Sequence, residues 1–148
     1  MEPTEIPVTA VMSGAPSTIP PDTPLPEIFE LFSQTGCIDL VVSGPENRFL
    51  GFITALDLLT AVGHVIGVRS RKRTTCIDCL LRGDAAVAAD IMTRGHITIP
   101  DTATVREAME AMERYRYPVL VVVDGAGAVV GRIEVCMIIA HLRITGHL

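Results

Sequence analysis

Apolar residues in the last third of the chain follow a helical period. Val105, Ala108, Met109 and Met112 stand at i, i+3, i+4 and i+7, which predicts one buried face of an amphipathic helix. Thr104 and Glu107 form a T-x-x-E capping box at its start. The continuous β-branched run Pro118–Val123 predicts a buried strand. Asp124-Gly125-Ala126-Gly127 predicts a turn, Ala128–Ile133 a second strand, and Val135–Leu142 a second helix. Upstream, Ala88–Met92 is expected to form a short helix, and His96–Pro100 a short extended stretch closed by proline.

The same order occurs earlier in the chain. Leu25, Ile28, Phe29 and Phe32 give a second helical stripe, Leu40–Val42 a buried strand, and Gly44–Asn47 a turn. Arg48–Ile53 is the next strand and Leu56–Val62 the last helix. A shift of eighty positions superimposes the two runs without a gap, placing Gly51 on Gly131 (131 − 51 = 80). The shift also puts Met12 on Met92, Thr18-Ile19-Pro20 on Thr98-Ile99-Pro100, Glu27 on Glu107, and Ile53 on Ile133. One local rule differs: Pro24 and Pro26 replace Thr104 and Arg106, so the first copy keeps its helix but loses the side-chain cap.

An internal repeat of this kind decides the architecture. Each copy is strand–helix–strand–strand–helix with a short leading helix. The hairpin within each copy implies small mixed sheets and an α/β (α+β) fold. A unit of roughly fifty residues buries a thin core, so two halves around a shared core are expected. The expected domains are 1–66 for the first repeat with its N-terminal segment, 67–86 for a linker, and 87–148 for the second repeat.

Composition narrows the classes. Apolar residues make up 49 % of the chain and mean hydropathy is +0.43, which excludes bulk disorder. No apolar run reaches the ~18–20 residues of a membrane helix. The start, Met1-Glu2-Pro3-Thr4-Glu5, lacks the basic, apolar character of a signal peptide, so a cytoplasmic location is expected. A net charge of −5 argues against broad nucleic-acid binding.

The expected linker carries a basic run (Arg69, Arg71, Lys72, Arg73) and Cys76-Ile77-Asp78-Cys79. C-x-x-C has zinc or thiol spacing, but structural zinc needs four ligands and only His64 lies near. Cys37 and Cys136 fall opposite Tyr117 and Leu56 and are not duplicated. The four histidines are scattered, and no nucleophile–base set is suggested. Nothing in the sequence indicates an enzyme.

The order of elements, the duplication and Gly51-Phe52-Ile53-Thr54-Ala55-Leu56-Asp57 together resemble the CBS domain family. The chain looks like a tandem CBS pair, or Bateman module, over nearly its full length. The resemblance implies a regulatory protein that binds an adenosine-containing ligand (AMP, ADP, ATP or S-adenosylmethionine) in a cleft between repeats. It also implies a homodimer and a separate protein partner, with no required cofactor.

The family's ligand motif is a glycine, two apolar residues, Thr or Ser, two more, then Asp. The first copy has it intact through Ile53, Thr54, Ala55 and Asp57. Thr54 is expected at a strand-to-helix turn, where free amides and a hydroxyl suit phosphate. Asp57 is expected to accept bonds from both ribose hydroxyls. T-x-x-D is also a capping box, whose plain role is to start a helix. The second copy has Glu134 and Met137 in these places: Met137 cannot hold a ribose, and Glu134 would repel phosphate. The resemblance further places Ile97, Thr98, Tyr117 and Pro118 around the base, with Arg116 available to grip phosphate. Opposite the second copy's motif it places Gly36, Cys37 and Ile38. The rival readings are a ligand-free dimerisation module, an S-adenosylmethionine sensor using Glu134, and a thiol or zinc sensor built on Cys76 and Cys79.

Overall fold

The Thr104 hydroxyl accepts the Glu107 amide at 3.2 Å, and the Glu107 carboxylate accepts the Thr104 amide at 3.0 Å. The helix begins there, as the capping box predicts, and runs from Val105 to Tyr115. The computed structural model describes residues 2, 4–35, 39–66, 87–94 and 97–146. The basic run, Cys76 and Cys79, together with Gly36, Cys37, Ile38, His96 and the side chain of His64, lie outside the described residues.

The first repeat contains β1 (Thr18–Ile19), α1 (Leu25–Thr35), β2 (Leu40–Ser43), β3 (Phe49–Ile53) and α2 (Ala55–Ile66). The second contains α3 (Ala88–Ile91), β4 (Thr98–Pro100), α4 (Val105–Tyr115), β5 (Val119–Val123), β6 (Val129–Glu134) and α5 (Val135–Ile144). A 3-10 turn, Val8–Ala10, leads the first repeat where α3 leads the second.

Two three-stranded sheets form, in the orders β1-β2-β3 and β4-β5-β6. β1 pairs parallel with β2, and β4 parallel with β5. β5 pairs antiparallel with β6, setting Leu120 opposite Ile133 and Val122 opposite Gly131. The tight turn at Asp124–Gly127 forces the antiparallel pair, while the crossover through a helix permits the parallel one. The sheets are therefore mixed, as the hairpins predict.

The chain divides into two compact units, Met1–Pro16 with Glu46–Phe49 and Gly95–Leu148, and Ser17–Pro45 with Leu50–Arg94. Each has its own core. One contains Val8, Val105, Ala108, Met112, Leu120, Ile133 and Ile138. The other contains Leu25, Ile28, Phe32, Val42, Ile53, Leu58 and Ala88. Among the described residues, the buried side chains thus form one cluster in each unit. The helical stripes of α1 and α4 are used within their own units, except that Met109, expected on the buried face, is exposed.

The leading segments do not stay with the repeats they precede in sequence. Val8 is fully buried in the core of the second repeat, and its amide donates to the Ala103 carbonyl at 2.8 Å. Ser13 bridges Arg132 on β6. Conversely, Ala88 is fully buried beside the first repeat's helices, and Thr93 bridges Phe52 on β3. Among the described residues no helix is long and apolar enough to cross a membrane.

Candidate functional site

β3 ends at Ile53, which is fully buried in the core, and α2 begins at Ala55. Thr54 is the residue between them, so its hydroxyl and amide stand at the positive end of a helix. The Asp57 amide donates to the Thr54 hydroxyl oxygen at 3.0 Å, and the Thr54 amide donates to Asp57 Oδ2 at 3.0 Å. T-x-x-D therefore forms its capping box. Asp57 has a further neighbour, since the Thr93 hydroxyl lies 3.3 Å from Oδ1 and 3.2 Å from Oδ2. Thr54, Ala55 and Asp57 are partly exposed, and the Asp57 carboxylate is held in place by these bonds.

The corresponding turn of the second repeat has different chemistry. Glu134 precedes α5, and its carboxylate pairs with Arg132 at 2.8 Å. The sequence predicts that Glu134 repels phosphate; in the structure Arg132 pairs with that charge. The Arg132 side chain is 15 % exposed, and its buried Nε has no hydrogen-bond partner. Position 52, the counterpart of Arg132, is phenylalanine. That exchange was visible in the aligned copies and is the signal that sequence reasoning passed over.

Ile97, Thr98, Arg116, Tyr117 and Pro118 all lie in the unit of the second repeat. Ile97 is buried and its carbonyl accepts the Val121 amide, while Thr98 is exposed and in register with Val121. Arg116 caps α4 in a left-handed conformation, with φ of 53° and its amide on the Met112 carbonyl. Such caps favour glycine. The counterpart of Arg116 is Gly36, so the second copy carries a guanidinium where its twin has the conformationally easier residue. Arg116, Tyr117 and Pro118 line the edge of a groove of about 430 Å³ between α4 and α5, floored by Met112, Ile138 and Leu142. In the other unit, Thr18 and Ser43 line a smaller hollow of about 360 Å³ with Pro20 and Pro45.

Apolar side chains also stand exposed on these helices. Leu56 is 73 % and Leu59 66 % exposed on α2, and Ile139 is 50 % exposed on α5. Leu59 and Ile139 occupy equivalent places in the two copies. Exposed apolar groups at matched positions of the two copies offer each unit a candidate association surface.

The sequence model of the CBS domain matches twice, over residues 8–64 and 87–143. No curated protein matches the sequence significantly. Among solved structures, CBSX2 in complex with AMP superimposes with a TM-score of 0.72 at 19% identity, covering 95% of this chain and 98% of that one. The CBS domain of a bacterial CNNM/CorC family Mg2+ transporter gives 0.72 at 18% identity, covering 95% of this chain and 77% of the other. The CBS domain pair of MJ0100, in complex with 5′-methylthioadenosine and S-adenosyl-L-methionine, gives 0.68 at 21% identity, covering 95% and 99%. At such identities the likeness is one of fold.

Proposed function

This chain belongs to the CBS domain family as a tandem pair, and from that premise we propose that it is a regulatory protein whose ligand contains adenosine. In the unit of the first repeat the carboxylate of Asp57 receives the ribose hydroxyls and the Thr54 turn receives phosphate; in the unit of the second, Arg116 offers a positive charge to phosphate. Within the unit of the second repeat, Ile97, Thr98, Tyr117 and Pro118 are proposed as a wall for the base. Similar folds bound to AMP and to S-adenosyl-L-methionine support the ligand class.

The observation that carries this reading is the state of Asp57. Its carboxylate is fixed by the Thr54 amide, and the residue is partly exposed at a helix N-terminus. A charged acceptor that is already oriented loses little freedom when a diol binds it. A bond to a charged group contributes about 1.5–3 kcal/mol. Loss of two such bonds lowers affinity by roughly 10²–10⁴-fold.

Titration calorimetry with AMP, ADP, ATP and S-adenosylmethionine tests the reading. Asp57→Asn keeps a carbonyl oxygen for the Thr54 amide, so the helix cap survives while the charge is lost. Wild-type binding that collapses in Asp57→Asn supports the proposal; equal binding in both removes Asp57 from the site.

A second reading has its own observation. The acid is engaged in a cap, and Leu56, Leu59 and Ile139 are exposed on helices. On this reading the chain is a dimerisation module with an empty site. It predicts no thermal shift with any of the four ligands, while the dimer persists.

A further inference from the structure

We propose that Thr93 is a positioning residue that occupies the Asp57 carboxylate until a ribose displaces it, so that ligand binding loosens residues 87–94 from β3. This rests on the assignment of Asp57 as the ribose acceptor.

The geometry is that of a competitor. The Thr93 hydroxyl lies at nearly equal distances from the two oxygens, 3.3 Å from Oδ1 and 3.2 Å from Oδ2. One proton is thus shared across the fork of the carboxylate. A vicinal diol approaching that fork brings two protons, one for each oxygen, and makes the stronger pair of charge-assisted bonds. The Thr54 amide, 3.0 Å from Oδ2, belongs to the helix cap and keeps its place during the exchange. Thr93 is exposed, so its side chain turns away at little cost.

The chain contains its own control. Ser13 is the counterpart of Thr93, and Met137 the counterpart of Asp57. Where the acid is missing, the equivalent hydroxyl donates to a backbone carbonyl, that of Arg132, at 3.2 Å. Both leading segments present a hydroxyl at this point, but only the one beside the acid engages a group that a ligand would use.

The consequence follows from what else holds Thr93. Its amide donates to the Phe52 carbonyl at 2.8 Å, and its carbonyl accepts the Phe52 amide at 3.0 Å. These two bonds attach residues 87–94 to β3. Removing the hydroxyl from Asp57 takes away the adjacent side-chain anchor. The expected effect is weaker protection of both amides when ligand is bound.

The test uses Thr93→Val, which keeps the shape and removes the hydroxyl, Thr93→Ser, which restores it, and Thr93→Ala as a second deletion should valine impair folding. Calorimetry with AMP, ATP and S-adenosylmethionine is expected to show about three- to tenfold tighter binding for the valine and alanine variants, and wild-type affinity for serine. Hydrogen exchange of the Phe52 and Thr93 amides is expected to quicken in the wild type on saturation, and to be already quick in ligand-free Thr93→Val. Binding by the variants that is unchanged or weaker, or amides whose exchange ignores the ligand, overturns the exchange while leaving the adenosine reading intact. A wild type that binds none of the three ligands overturns both.

Discussion

Gly51 lies directly against Met92. A methyl group at position 51 would stand 2.9 Å from the Met92 sulfur and 2.7 Å from the Thr93 carbonyl oxygen. The glycine is there because the segment carrying Met92 crosses β3 at van der Waals distance. Gly131 has the same relationship to Met12 and to the Ser13 carbonyl oxygen, the latter at 2.8 Å. Two glycines and two methionines matched by the repeat are therefore two copies of one docking contact.

Gly51→Ala and Gly131→Ala should each destabilise the fold by about 1–3 kcal/mol, because backbone has to move to admit the methyl. Gly14→Ala, with nothing within 4 Å of the added carbon, should stay within about 0.5 kcal/mol of the wild type. Urea unfolding of the three variants measures both.

Arg116 stands in a left-handed conformation with φ of 53°. Arg116→Gly relieves that strain, partly offset by the greater freedom of glycine in the unfolded chain. A gain of about 0.5–1 kcal/mol in stability is expected, together with weaker binding of phosphate-bearing ligands. Thermal unfolding and calorimetry on the same variant would show whether stability and affinity move in opposite directions. Unchanged affinity removes Arg116 from phosphate binding, and a fall in stability removes the strain argument.

Glu134→Thr leaves the largely buried Arg132 guanidinium without its carboxylate and should cost about 1–3 kcal/mol. The double change Arg132→Phe with Glu134→Thr reproduces the residues of the first copy, Phe52 and Thr54. Replacing an ion pair by packed groups is often neutral, so the double variant should recover most of the loss. A double-mutant cycle in urea gives the coupling directly.

Leu59 and Ile139 are 66 % and 50 % exposed on α2 and α5. We expect a homodimer that buries them. Leu59→Glu or Ile139→Glu should shift the sedimentation coefficient to that of a monomer without unfolding the chain, because neither side chain is in a core. A monomeric wild type would remove this surface from consideration.

Much of the fold was legible because it is local. The spacing of Val105, Ala108 and Met112 demands a helix, and Thr104 with Glu107 starts it at the predicted residue. The β-branched run before Asp124 becomes β5, and the glycines after it turn the chain into β6. Of the candidate site, the Thr54–Asp57 pair was legible for the same reason, since its two bonds span three residues. The Thr93–Asp57 contact was not, because its partners are 36 residues apart and neither has a local pattern that names the other. Likewise the neutralisation of Glu134 depends on Arg132 lying on the same face of β6, a point visible in the strand's period but easily passed over.

By itself the sequence determined the repeated unit, its elements and the placing of one intact acid motif, because hydrophobic period, caps and turn glycines act over a few residues. Only the tertiary structure decided which leading segment docks on which sheet. A shift of eighty residues pairs Met12 with Met92 and Gly51 with Gly131, and is equally consistent with either methionine covering either glycine. Packing resolves the choice: Met92 covers Gly51 and Met12 covers Gly131. Contacts of that kind arise from the path of the whole chain, and no local preference encodes them.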